Sequence, residues 1–277
     1  MQEADQINPN STRQTVLRVS HVVFALVLIG LGVLGLIKGD FAPGWSPVPE
    51  SMPARQALAY LCDFVYLACG AGLLWRRTAA LAARVLFGYL LLWLLLLRVP
   101  WMVVSFQIGT WWPASSTAVL TGSAWVLYSW LANDWDKRRF GFVIGDKGVR
   151  VARMLFGLGL IPLGIAHFLY VEATAPLVPD WLLFPVFWAY LTGVAFVAAG
   201  VGMITGIFAR LAAALITLQI GMLTLFVWLP RVVTGNLTPF QWNEFFVSIL
   251  LTSAAWVVAD SYRDIPWFAV RSRRTSE

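Results

Sequence analysis

Ionisable side chains inside long apolar segments are the first candidates for chemistry in this chain. Asp63 lies about two turns into one such segment, and Arg98 lies near the end of the next. A charge buried in an apolar solvent is costly, so such groups usually pair with each other or serve a function. The two segments run antiparallel from a turn near Arg77, which predicts a similar depth for both side chains. We interpret them either as part of a ligand site or as structural groups, paired or with Arg98 extending towards water.

Four further polar side chains are predicted at the same ends of the apolar segments. Lys38 and His167 end two equivalent segments, Glu172 follows His167, and Arg231 follows a later segment. An imidazole titrates near neutral pH, so His167 could donate to a ligand carbonyl or carry a proton, although a packing role is the alternative. The predicted ligand-binding set is therefore Lys38, Asp63, Arg98, His167, Glu172 and Arg231. No residue is predicted to be catalytic.

Sequence motifs for most cofactor chemistry are absent. The chain has no Gly-rich phosphate loop, no Cys-x-x-Cys and no His-Glu-x-x-His pattern. Its two His residues cannot supply both axial ligands of a haem without other ligands. Cys62 and Cys69 are about 10 Å apart along one helix, too far for a disulfide between them. We predict no metal site and no covalently bound cofactor.

The composition excludes a soluble enzyme. Hydrophobic residues make up 59% of the 277 residues and charged residues 12%, against roughly 45–50% and 25% in soluble domains. The lipid bilayer must therefore be part of the solvent. The net charge of +6 comes from basic residues between the apolar segments, where they indicate topology. Nucleic acid is not a predicted partner.

The predicted fold class is all-α, a polytopic integral membrane protein. A membrane-spanning helix needs about 20 apolar residues. Most of the Lys and Arg residues fall on one side of the segments, which predicts that both termini are cytoplasmic. Eight segments qualify as spans, near residues 17–37, 56–75, 79–99, 114–132, 152–171, 185–205, 208–229 and 243–260.

The sequence contains an internal repeat at an offset of 130 residues. Residues 59–61 (Ala-Tyr-Leu) recur as 189–191, and Pro100 recurs as Pro230. Four spans in each unit make the repeats parallel, related by a pseudo-twofold axis along the membrane normal. The predicted organisation is a cytoplasmic tail (1–16), a first four-helix repeat (17–132), a basic cytoplasmic connector (133–150), a second repeat (151–262) and a basic cytoplasmic tail (263–277).

Several of these segments resemble the DoxX-like and DoxD-like membrane proteins. Residues 153–158 (Arg-Met-Leu-Phe-Gly-Leu) and 164–168 (Gly-Ile-Ala-His-Phe) are similar to the opening helix of that superfamily. Residues 35–38 (Gly-Leu-Ile-Lys) take the same role in the first half, and 199–213 are similar to the glycine-rich second helix. The first copy departs at 75–78, where Trp-Arg-Arg-Thr replaces the usual turn. The resemblance implies a four-helix unit in the bacterial cytoplasmic (inner) membrane.

The resemblance also implies a function in quinone-linked oxidation. Members of the superfamily are associated with quinone-linked oxidoreductases, including the membrane subunit of thiosulfate:quinone oxidoreductase. The first hypothesis is an accessory subunit that binds quinone or a similar lipophile near the outer face, with membrane or periplasmic subunits as partners. A scaffold or assembly subunit without ligand chemistry is the second hypothesis. A small-solute transporter is the third, because charges lie within a tandem repeat.

Overall fold

A computed structural model describes residues 18–105, 107–235 and 237–270; most of these residues are helical, and none of them is in a strand. The predicted tail 1–16 and residues 271–277 of the second tail lie outside the described residues. Nine helices carry the described part of the chain: α1 (Val19–Lys38), α2 (Arg55–Leu74), α3 (Ala79–Val104), α4 (Ile108–Leu131), α5 (Asp134–Ile144), α6 (Asp146–Leu169), α7 (Pro185–Thr205), α8 (Ala209–Thr234) and α9 (Pro239–Asp260). Single turns such as Val171–Thr174 occur between them.

Seven of the described helices are long and apolar enough to cross a membrane, namely α1, α2, α3, α6, α7, α8 and α9. They fit a multi-pass membrane protein. Helix α4, the fourth of the predicted spans, is 24 residues long but is not among the seven. The count of eight spans therefore stays a prediction.

Helix α4 owes its lower hydropathy to a run of hydroxyl side chains that the bundle buries. Thr117, Thr121 and Ser123 are buried, and each donates to the backbone carbonyl four residues earlier. Helices α3, α6 and α9 all pack against α4. Because protein rather than lipid surrounds much of α4, its hydroxyls are satisfied without an apolar surface.

The helices pack in the same order in both halves of the chain. In the first half α1 packs on α2, α2 on α3 and α3 on α4; in the second, α6 packs on α7, α7 on α8 and α8 on α9. The halves meet where α4 packs on α6 and on α9, and where α9 packs on α1. Helices α3 and α8 each contain a π-helical stretch, Leu94–Arg98 and Leu223–Trp228.

Two arginines, one from each half, hold the end of α9 at the end of the bundle that we predict to be cytoplasmic. Arg18 donates to the carbonyl oxygen of Asp260 at 3.0 Å, and Arg153 donates to the hydroxyl of Ser261 at 2.9 Å. The guanidinium carbon of Arg153 also lies 4.0 Å from the centre of the Tyr262 ring. Burial raises the pKa of Tyr262 to about 12, so this ring is neutral at physiological pH.

Two long connections at the opposite end of the bundle finish in the same unusual backbone conformation. We call residues 39–54, between α1 and α2, the first outer loop, and residues 170–184, between α6 and α7, the second outer loop, after the side on which the Lys and Arg distribution predicts them. Ala54 (φ 50°) and Phe184 (φ 61°) end these loops in the left-handed region and precede α2 and α7. They are 130 residues apart, the offset of the sequence repeat. A residue with a Cβ pays about 1–2 kcal/mol for this conformation.

Replacing Ala54 with Gly should therefore stabilise the protein. We expect A54G to raise the free energy of unfolding by about 0.5–1 kcal/mol, because Gly adopts positive φ without strain. The same change at the exposed helical residue Ala57 should lower it by about 1 kcal/mol, since Gly is a poor helix former. Thermal denaturation of both variants in one detergent measures the difference. Equal effects of A54G and A57G would contradict the strain at Ala54.

Candidate functional site

The first outer loop folds back into the end of the bundle. Phe41, Ala42 and Trp45 are buried, and Trp45 is completely inaccessible. The Trp45 ring stacks on Tyr66 with centroids 4.3 Å apart and meets Trp93 edge-on at 5.2 Å. Aromatic contacts of this geometry stabilise beyond the area that they bury. The loop is thus part of the core, anchored on α2 and α3.

Asp63 of α2 holds the beginning of this loop. Its carboxylate is fully buried, and Oδ1 accepts the backbone N–H of Ala42 at 2.9 Å. Gly35 of α1 faces the carboxylate so closely that a Cβ there would lie 2.3 Å from it. The absence of a side chain at Gly35 therefore gives Asp63 the room to reach the loop.

Arg98 of α3 holds the middle of the same loop. The side chain is 2% exposed and donates to the carbonyl oxygens of Pro47 at 2.7 Å and Ser46 at 3.1 Å, and to that of Trp45. A longer bond of 3.4 Å reaches the hydroxyl of Thr117 on α4. Arg98 ends the π-helical stretch of α3, and such stretches often occur at functional sites.

The sequence hypothesis of an ion pair between Asp63 and Arg98 is not met. Neither side chain forms a salt bridge in the part of the chain that the structure describes. The prediction that both lie at a similar depth agrees with their contacts, because both bind the first outer loop. Backbone N–H and C=O groups, rather than the opposite charge, are their partners.

Arg231 of α8 does the same for the second outer loop. It donates to the carbonyl oxygens of Pro176 and Leu177, each at 3.0 Å, and to that of Val227 in its own helix. Pro176 and Leu177 are the repeat equivalents of Ser46 and Pro47. The two halves therefore use an arginine to hold the same loop positions, although Arg231 is one helical turn beyond the equivalent of Arg98.

The other three predicted ligand residues lie apart from this arrangement. His167 is bonded through Nδ1 to the carbonyl of Leu163, one turn back in α6, and lies between the rings of Trp112 and Phe196. Lys38 and Glu172 are exposed near helix ends. The structure brings Asp63 and Arg98 to one loop and Arg231 to the other, but it does not bring the six residues together in one cleft.

A pocket of about 150 Å³ lies beside Arg98, between the first outer loop and α3. We call it the Arg98 pocket. Its walls are almost wholly apolar, and Leu96 in its wall is exposed on the side of the bundle. A second pocket of about 230 Å³ is formed by the second outer loop. The Arg98 pocket is lined by Pro47, Val48, Pro49, Met52, Trp93, Leu96, Leu97, Arg98 and Trp101.

The Arg98 pocket can hold an apolar ring with one polar edge. Trp93 and Trp101 offer flat apolar faces, and Arg98 is the charged group among the lining residues. Of the five N–H groups of its guanidinium, four donate to protein atoms. One donor is left for a ligand oxygen. No cluster of metal-binding side chains occurs in the described ranges.

Sequence reasoning missed the residues that form most of this pocket. The signal was the run 43–53 (Pro-Gly-Trp-Ser-Pro-Val-Pro-Glu-Ser-Met-Pro), whose four prolines exclude regular helix. Such a stiff segment, which contains Trp45, predicts an ordered loop, but not which side chains of α3 it faces.

Comparisons with known proteins give no assignment: no family model matches this chain, and neither a curated protein nor a solved structure is significantly similar to it.

Proposed function

We propose that this chain is an accessory membrane subunit of the DoxX-like type that binds quinone or a similar lipophile in the Arg98 pocket. The observation that carries the proposal is the pocket itself, which is mainly apolar, has Arg98 among its lining residues and lies beside the exposed Leu96. An apolar cavity of about 150 Å³ accommodates a six-membered ring. A quinone offers such a ring, and its carbonyl oxygen is an acceptor for the unused donor of Arg98.

The architecture that we propose has eight spans in two parallel repeats, with both termini in the cytoplasm of a bacterium. Three features of the described residues support the repeat. The helices pack in the same order in each half, an arginine holds equivalent carbonyls in each outer loop, and Ala54 and Phe184 share their backbone conformation. The distribution of Lys and Arg supports the orientation. In this arrangement the Arg98 pocket opens to the outer half of the bilayer.

Quinone binding should depend on the free volume beside Leu97. We expect L97W to weaken binding of a short-chain ubiquinone analogue at least about tenfold, a loss of about 1.4 kcal/mol, because the larger side chain fills the pocket. L95W is the matched control, because Leu95 is half exposed on the same helix and does not line the pocket. Titration of the full chain in lipid nanodiscs, followed by tryptophan fluorescence quenching, measures both affinities.

Two results would contradict the proposal. Equal affinity of L97W, L95W and the unchanged chain would place the quinone elsewhere, and non-saturable quenching would show partition into lipid alone. The subunit role has its own test, which is native purification from the source membrane. A chain that purifies without another protein would contradict the role as an accessory subunit.

A further inference from the structure

Helix α5, in the connector between the two halves, leaves one side uncovered. Trp135, Arg138, Arg139 and Phe142 are all exposed, Phe142 to 80% and Trp135 to 51%. Trp135, Arg138 and Arg139, spaced i, i+3 and i+4, lie along one side of the helix. The backbone leaves helical geometry at Phe140 (φ −125°, ψ 26°), and Phe142 follows this kink. We call these four residues the α5 stripe. At 11 residues, α5 is too short to cross a membrane.

The opposite side of α5 is attached firmly to the bundle. The carboxylate of Asp136 is fully buried and accepts Nη1 of Arg84 at 2.8 Å and the hydroxyl of Tyr128 at 3.0 Å. The indole N–H of Trp125 donates to the carbonyl of Val143 at 2.8 Å. These bonds orient the helix so that Arg138, Arg139 and Phe142 face away from the protein. Trp135 is half exposed, and one side of its ring contacts the guanidinium of Arg84.

The position of α5 puts this stripe at a membrane surface. The helix lies between the end of α4 at Leu131 and the start of α6 at Asp146, at one end of the bundle. An amphipathic helix with aromatic and basic residues at this level lies in the headgroup region. Arg138 and Arg139 supply two guanidinium groups, which bind phosphate oxygens well.

We propose that the α5 stripe binds the phosphate groups of anionic phospholipids, with the rings of Trp135 and Phe142 seated just below the headgroups. The charge favours this occupant. Arg138 and Arg139 form no salt bridge among the described residues. Asp134, one turn before Arg138, pairs with Lys137 at 3.4 Å, and Asp136 is turned inwards and paired with Arg84. A lipid surface also covers both exposed aromatic rings at once. This inference does not depend on the quinone proposal.

The second half places similar groups at the same end of the bundle. Arg210 lies with its guanidinium carbon 4.1 Å from the centre of the Trp267 ring, as Arg84 lies 4.6 Å from that of Trp135. Phe268, next to Trp267, is exposed like Phe142. Each half thus presents an arginine-stacked Trp and an exposed Phe, as expected if both halves rest on one leaflet.

The first experiment compares the full chain in nanodiscs of phosphatidylcholine with and without phosphatidylglycerol. We expect phosphatidylglycerol to raise the thermal midpoint of the unchanged chain by roughly 5 °C. The double variant R138Q/R139Q should lose more than half of this shift. The control R76Q/R77Q removes the same charge from exposed residues of the α2–α3 turn at the same end and should keep the shift.

The second experiment locates the stripe directly. A spin label on F142C should be accessible to oxygen dissolved in lipid and protected from a water-soluble nickel reagent; the native Cys62 and Cys69 are buried and serve as the unlabelled background. Exposure to the water-soluble reagent would overturn the proposal, and so would protection from both reagents, which indicates a protein partner. An equal loss of the lipid-dependent shift in R138Q/R139Q and R76Q/R77Q would also overturn it, because it would show a general charge effect.

Discussion

The variant R98M should unfold far more easily than R231M. We expect R98M to lower the free energy of unfolding by about 4 kcal/mol, because each buried acceptor left without a donor costs roughly 1–3 kcal/mol. Arg98 is itself 2% exposed and serves the carbonyl oxygens of Trp45, Ser46 and Pro47; its bond to Trp45 is buried and the other two are partly buried. The methionine keeps most of the side-chain volume, so the loss reports the hydrogen bonds.

The matched variant R231M separates this effect from a general effect of losing a charge. Arg231 also holds two loop carbonyls, but it is only partly buried, so water can replace its bonds. We expect a loss of about 1 kcal/mol for R231M. Thermal denaturation in detergent gives the two stabilities, and amide hydrogen exchange of residues 39–54 tests whether the loop itself is released. Equal losses, or unchanged exchange of the loop in R98M, would contradict the role of Arg98.

The second large effect is expected at the contact of α6 and α7. A Cβ on Gly200 would lie 2.6 Å from the carbonyl oxygen of Gly157, and one on Gly157 would lie 2.8 Å from that of Gly200. Backbone atoms cannot yield as the tip of a side chain can, so the helices must separate. We expect G200A to lower the free energy of unfolding by about 3 kcal/mol, since overpacking of this kind costs 1–3 kcal/mol and the contact is reciprocal.

Two glycines that face open space are the controls for G200A. No atom lies within 4 Å of a Cβ built on Gly30 or Gly88. We expect G30A and G88A to be neutral or to stabilise by up to about 1 kcal/mol, because Ala is the better helix former. All three variants make the same chemical change in a helix. Similar stability of G200A, G30A and G88A would show that the close approach of α6 and α7 is not required.

The sequence alone predicted the positions of the helices well. A long apolar run in lipid must form a helix, because its backbone N–H and C=O groups can form hydrogen bonds only within the segment. The seven apolar helices of the structure correspond to seven of the eight predicted spans. Segment 114–132 is the predicted span that is not among these seven. Its hydroxyl side chains lower its mean hydropathy, but in α4 they are buried against protein rather than exposed to lipid. The boundaries also moved: α3 runs to Val104 and α6 begins at Asp146, inside the predicted connector.

The candidate site was only half predictable. Scarce charges in apolar segments drew attention to Asp63 and Arg98, which the structure buries against backbone partners. Arg231, which follows an apolar segment, is partly buried against the second outer loop. Their binding of a ligand stays a prediction. Their partners were not predictable, because backbone carbonyls and amides are present at every residue and carry no signature in the sequence. We interpreted Asp63 and Arg98 as a possible pair because they carry opposite charges, which is the only indication of a partner that the sequence provides.

The amino-acid sequence by itself thus determined that the chain is an all-helical membrane protein, where its apolar helices lie and which few charges enter them. Composition and periodicity suffice for this, because the bilayer imposes the same demand on every segment. Only the tertiary structure decided that Arg98 binds the first outer loop about fifty residues earlier, that α4 lies inside the bundle and that α5 presents one basic, aromatic side. These features depend on which distant backbone atoms come within hydrogen-bonding distance, and packing alone settles that.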